Sequence, residues 1–144
     1  MILRRLPAAF LLFLGLTLAC SPENTAKSPD AQATLQAIPQ ADPAQFDHIR
    51  DMRNWRNPYL IVSADEVVLF DSVDSTEIRL KTDEVLSALA ALPAAKWPYG
   101  RVVAVSENGA RASEQEAVAI RRNKGIVGGM LQGAHVAVKW VRAG

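Results

Sequence analysis

The chain has 144 residues, of which 49% are hydrophobic and 6% aromatic, with 16 basic and 15 acidic side chains for a formal net charge of +1. So even a balance excludes the strongly basic composition on which nucleic-acid binding by counterion release depends, and no nucleic-acid partner is expected. One cysteine, Cys20, leaves no residues for a disulfide, a redox pair or a zinc cluster.

Arg4 and Arg5 make a positive start, and Ala8 to Leu18 is an apolar run within the roughly 7–15 residues of a secretory h-region. A membrane-spanning helix needs about 20 such residues, and no later segment is apolar for that long. Residues 1–19 therefore read as a signal peptide. Thr17-Leu18-Ala19-Cys20 resembles the lipobox of bacterial lipoproteins, with Thr17 where that family usually has Leu. The resemblance implies cleavage before Cys20 and acylation of its sulfur, so the mature chain meets the membrane through its N-terminal lipid. Ser21, in place of Asp, implies by the same resemblance the outer membrane, facing the periplasm. The covalent lipid on Cys20 is the only non-protein group expected. Removing residues 1–19 takes away Arg4 and Arg5 and leaves 14 basic against 15 acidic side chains.

Residues 20–45 are rich in Pro, Ala, Gln and Ser, with Leu35 and Ile38 as the only large aliphatic side chains. So little apolar surface predicts a disordered tether behind the lipidated cysteine. A globular domain is expected over 46–144. Asp47 reads as the cap of a short helix carrying Ile49 and Met52 inward, ended by Asn57-Pro58. The runs 59–63 and 66–70, separated by Ala64-Asp65, read as strands, and 75–80 alternates as a third.

Thr82 is the expected cap of a helix over 83–92, with Val85, Leu89 and Leu92 on one face and Pro93 as its stop. Residues 101–106 are nearly all apolar, as in a central strand covered on both faces. Ser113 and Glu116 form a capping box for a long helix reaching Gln132. The segment 135–141 alternates as a last strand, with Val136, Val138 and Trp140 inward and His135 and Lys139 outward. The order β-β-β-α-β-α-β predicts one α/β (α+β) domain, a two-layer sandwich of helices on a mixed sheet.

Chemistry is sparse. No nucleophile elbow, phosphate loop, dinucleotide fingerprint or zinc-protease motif occurs. His48 and His135 have no partner close in sequence for a triad or metal site, so no catalytic residue and no metal are assigned. Asp65, Glu66, Asp71, Asp74 and Glu77 crowd two turns without the spacing of a calcium loop. Arginines mixed with Trp and Tyr over 52–60 and 96–101 suit aromatic bodies covering a sheet edge while the guanidinium groups stay wet.

Residues 61–92 resemble the periplasmic domain of the ExbD/TolR proteins, in which two short strands and a Leu-rich helix follow an Ala-Asp turn. The resemblance implies the same sandwich fold. Val102 to Gly109, followed by a helix bearing Arg121, Arg122 and Asn123, resembles the OmpA-like peptidoglycan-binding domains, and implies peptidoglycan as an alternative partner. Ser106-Glu107-Asn108-Gly109 stands where those domains carry a Thr-Asp loop.

The long helix has one unusual feature. At 100° per residue Ala117, Ile120, Val127 and Leu131 form its core stripe, while Gly125, Gly129 and Gly133 line up nearly opposite, beside Val118 and Ile126. Residues 125–134 carry no charge, and each interior glycine costs about 1 kcal/mol relative to alanine. Two readings follow: a glycine-ended helix packed within its own domain, or a surface where another backbone comes close, either an envelope protein or a second copy in a homodimer. The expectation as a whole is a lipid-anchored binding or accessory module of the cell envelope rather than an enzyme.

Overall fold

The computed structural model describes residues 29–142. Two short helices, α1 (Pro29–Gln36) and α2 (Pro43–Phe46), precede a hairpin of β1 (Tyr59–Val62) and β2 (Val67–Asp71), followed by β3 (Thr76–Leu80). Then come α3 (Val85–Ala90), β4 (Val102–Glu107), α4 (Glu114–Gly133) and β5 (Ala137–Trp140). The strands form one mixed sheet in the order β3-β2-β1-β4-β5. Tight turns make β1–β2 and β2–β3 antiparallel, whereas the helical crossovers make β1–β4 and β4–β5 parallel. The fold is the mixed α+β arrangement expected, with helices packed on a five-stranded sheet.

Local chemistry sets the turns. At the β1–β2 corner the N–H and Oγ of Ser63 both donate to Glu66 O, at 2.9 and 2.8 Å, and Oγ accepts from Glu66 N–H at 3.3 Å. At the next corner Asp71 Oδ1 accepts from the N–H groups of Val73 (2.9 Å) and Asp74 (3.3 Å). Helix α4 starts with the expected capping box. Ser113 Oγ accepts from Glu116 N–H at 3.2 Å, and Glu116 Oε2 accepts from Ser113 N–H at 2.7 Å. That contact with the Ser113 backbone holds the Glu116 carboxyl below its ordinary pKa.

Val102, Val103, Ala104 and Val105 of β4 are fully buried, because this strand is covered on both faces. On one face Leu60, Val62, Val67, Leu69, Val103 and Val105 meet Val85, Leu86, Leu89, Val127 and Leu131 from α3 and α4. A partial third layer covers the other face, where Phe46, Ile49 and Trp55 pack on Val102 and Ala104. Trp55 and Tyr99 thus cover a sheet face rather than an edge, Trp55 lying 6.0 Å from Phe46 and 5.2 Å from Tyr99, centroid to centroid, while Trp97 is buried in the main core. Buried Asn57 ties this layer to the sheet. It donates to Gly100 O (2.7 Å) and Val102 O (2.8 Å) and accepts from Tyr99 N–H (2.9 Å).

Several expectations need correction. The tether predicted over 20–45 is folded from residue 29 onward, because α1 adds Ala31 and the fully buried Leu35 to the main core. A segment too poor in apolar side chains to fold alone can complete a core that others have built. Arg101 fastens it, with its guanidinium donating to Gln36 O at 2.9 Å and its N–H to Pro39 O at 2.8 Å. Beside it Gly100 has φ +77°, and a Cβ there would stand 2.6 Å from Gln40 O, so no other residue fits. The helix expected to begin at Asp47 instead ends there; Asp42 caps it, accepting from Ala44 N–H at 3.0 Å, with Pro43 in the first turn. Thr82 caps nothing: the Glu84 carboxylate reaches back to Lys81 N–H at 2.8 Å, and a 3-10 turn precedes α3. The predicted signal peptide and Cys20 lie outside the described residues.

Candidate functional site

Strand β5 ends the sheet, and how it pairs determines what its free side offers. Ala137 N–H donates to Arg101 O at 3.0 Å and Val141 N–H to Val105 O at 2.8 Å. Backbone groups alternate sides along a strand, so the N–H and C=O of Val138 and Trp140 turn away from β4. Both residues line an open groove of about 1110 Å³. One wall is α4, through Arg121, Lys124, Gly125, Gly128, Gly129 and Gln132. On the other flank stand Gln40, Ala41, Pro43 and Phe46, and Arg101 and His135 sit beside the start of β5.

The glycines shape the helical wall. A Cβ at Gly125 or Gly129 would meet nothing within 4 Å, so the helix backbone is bare along that line. Gly133 takes a different role at the end of α4, where its carbonyl accepts from Gln32 Nε2 at 2.8 Å, and it does not line the groove. Gly128, outside the predicted line, is the residue that admits Trp140: a Cβ there would stand 3.3 Å from the indole ring. Trp140 was expected inward, yet it is 51% exposed, because β5 is an edge strand and the helix opposite meets the indole with Gly128 and the Lys124 side chain rather than with an apolar side chain. The Lys124 ammonium lies 5.1 Å from the Trp140 ring centroid and 3.1 Å from Glu107 Oε2. Lys139, expected outward, folds over the Phe46 ring and donates to Phe46 O at 3.1 Å.

The charged side chains that line the groove are basic. Arg101, Arg121, Lys124 and His135 line it, and no Asp or Glu does. Among the described residues neither Arg101 nor Arg121 pairs with a carboxylate. Arg101 is held rigid by carbonyl oxygens instead, its Nε donating to His135 O at 2.7 Å.

The other residues singled out by sequence do not converge. His48 lies in a shallow hollow with Arg50 and Tyr99, away from the groove that holds His135. Among the described residues no three His, Cys, Asp or Glu side chains come together. The acidic turn residues have local partners: Lys96 bridges Asp71 and Asp74, and Glu66 pairs with Arg79. Burial alone would raise the Asp71 carboxyl, but Lys96 and the Val73 and Asp74 N–H groups outweigh it and hold its pKa below the usual value. The Asp71 and Asp74 carboxylates in turn raise that of Lys96. Asn123 is buried and donates to Ser63 O and Ala64 O at 3.0 and 2.8 Å, pinning α4 to the hairpin. Of the three residues that resemble the arginine-bearing helix, only Arg121 reaches the groove.

No family model, no curated protein and no solved structure matches the chain. The groove is therefore read from its own chemistry.

Proposed function

We propose that this chain is a lipid-anchored binding module of the bacterial cell envelope that presents the β5 groove to a partner. The anchor rests on the lipobox-like Thr17–Cys20. The observation that supports binding is the contrast between the two sheet edges. β3, although it exposes Ile78, carries Glu77 and Arg79 pointing to solvent, the usual protection of an edge against further pairing, whereas Lys139, the one charge of β5, is turned onto Phe46. β5 instead sets its free backbone groups beside bare helix backbone and an exposed Trp140.

Two measurements test the reading. Metabolic labelling with a radioactive fatty acid should mark the wild-type chain and not Cys20→Ser; equal labelling would remove the anchor. A benzophenone side chain placed at Gln132, in the groove, should cross-link a partner in intact envelopes, and one at Glu77, on β3, should not. Cross-links of equal yield from both positions, or none from Gln132, would defeat the assignment of the groove.

A further inference from the structure

Resting on that reading, we infer that the occupant of the groove is an acidic, extended segment of another protein, added to β5 as a sixth strand. Three features carry the inference. Val138 and Trp140 offer an N–H and a C=O each on the open side of β5, the donor and acceptor row that an added strand pairs with. The groove along β5 is flanked by α4 on one sheet face and by Phe46, which packs on Val102 and Ala104, on the other. A strand set about 4.8 Å beyond β5 would then have alternate side chains directed to each flank. Towards α4, Gly125 and Gly129 leave open space for them beside the Trp140 ring.

Charge selects the occupant. Arg101 stands at the start of β5 and Arg121 on the helical wall, both without a carboxylate partner among the described residues. Nε and Nη1 of Arg101 already donate to backbone carbonyls, so carboxylates of an added strand would meet Arg121 through charge-assisted hydrogen bonds and Arg101 through a charge that no carboxylate neutralises. A second copy of this chain is disfavoured on the same ground, because joining two β5 edges brings two sets of arginines together. A fit to polyanions in general would use the charge and leave the strand edge idle.

The test uses the full mature chain in detergent and two pools of fluorescein-labelled ten-residue peptides. Both pools alternate Val, Ile, Thr or Tyr with a charged residue, Glu in one and Lys in the other. The Glu pool should bind saturably and the Lys pool at least about tenfold more weakly. Val138→Pro removes a donor that β4 does not use, so it should weaken Glu-pool binding by up to about tenfold, the worth of one edge hydrogen bond. Because Val138 also packs against the main core, Val138→Ala, which keeps the N–H, is the control and should lower the melting temperature while leaving binding intact. Gly129→Leu should block the groove and weaken binding while the melting temperature rises. Amide exchange at Val138 and Trp140 should slow on addition of the Glu pool. The inference fails if the Glu pool does not bind, if both pools bind alike, if exchange at Val138 and Trp140 is unmoved, or if heparin competes while Val138→Pro has no effect. It also fails if sedimentation shows dimers that Gly129→Leu dissociates. Persistent cross-linking from Gln132 alongside such a failure would leave the binding reading standing; loss of both would remove both.

Discussion

Replacing Gly129 by alanine tests the groove without touching the core. Gly129 sits in the interior of a 20-residue helix, where glycine costs about 1 kcal/mol relative to alanine through the greater backbone freedom it loses. The new methyl group would meet nothing within 4 Å, so no packing penalty offsets that gain. Gly129→Ala should therefore stabilise the chain by about 1 kcal/mol, raising the melting temperature by about 3–5 °C for a domain of this size. Urea denaturation of the mature chain followed by circular dichroism should show a higher midpoint with an unchanged slope. Destabilisation of 1 kcal/mol or more would mean that Gly129 is packed within its own domain, and the groove would have no bare wall.

The opposite sign is expected at Gly100. There alanine meets both a positive φ and the Gln40 carbonyl, so Gly100→Ala should cost about 2–3 kcal/mol; a neutral result would contradict the close approach of the 39–40 segment. Leu35→Ala should cost about 2–5 kcal/mol, as for other fully buried leucines, whereas a tether residue would cost nothing in the same urea titration. The Asp71 carboxyl has a lowered pKa in the folded chain, so its contribution is present above the ordinary aspartate value of about 3.9 and is lost as pH falls through the lower folded value. Lys96→Met should accordingly destabilise at pH 7 and progressively less towards pH 2, a convergence that parallel urea curves at the two pH values would refute.

Much of the fold could be read from local patterns. The capping box of Ser113 and Glu116, the apolar run of β4 and the two β-branched runs of the hairpin each act within a few residues, and each formed where expected. The start of the short helix α2 is decided between two competing local signals. Asp42-Pro43 and Asp47 both suit helix starts, and the proline, fixed near helical φ, placed the helix at the first. Residues 29–41 depart from expectation for a different reason. Their apolar content is too low for a fold of their own, and their burial depends on a surface assembled from α3, α4 and β4, far away in sequence.

The candidate site divides in the same way. Sequence by itself placed Gly125 and Gly129 on one bare, uncharged line of a helix whose core stripe lay elsewhere, because helical periodicity is a property of a single segment. It could not say whether that line was buried or open. Strand order decided it: β5 follows β4 through a crossover and becomes the last strand, so nothing covers its outer backbone, and Trp140 folds onto Gly128 rather than into a core. Which side chains Arg101 and Arg121 face, and that no carboxylate lies between them, likewise depends on bringing together segments some twenty to one hundred residues apart. Periodicity and caps are short-range and legible in one dimension; edges, grooves and the sign of their charge exist only once the chain has closed on itself.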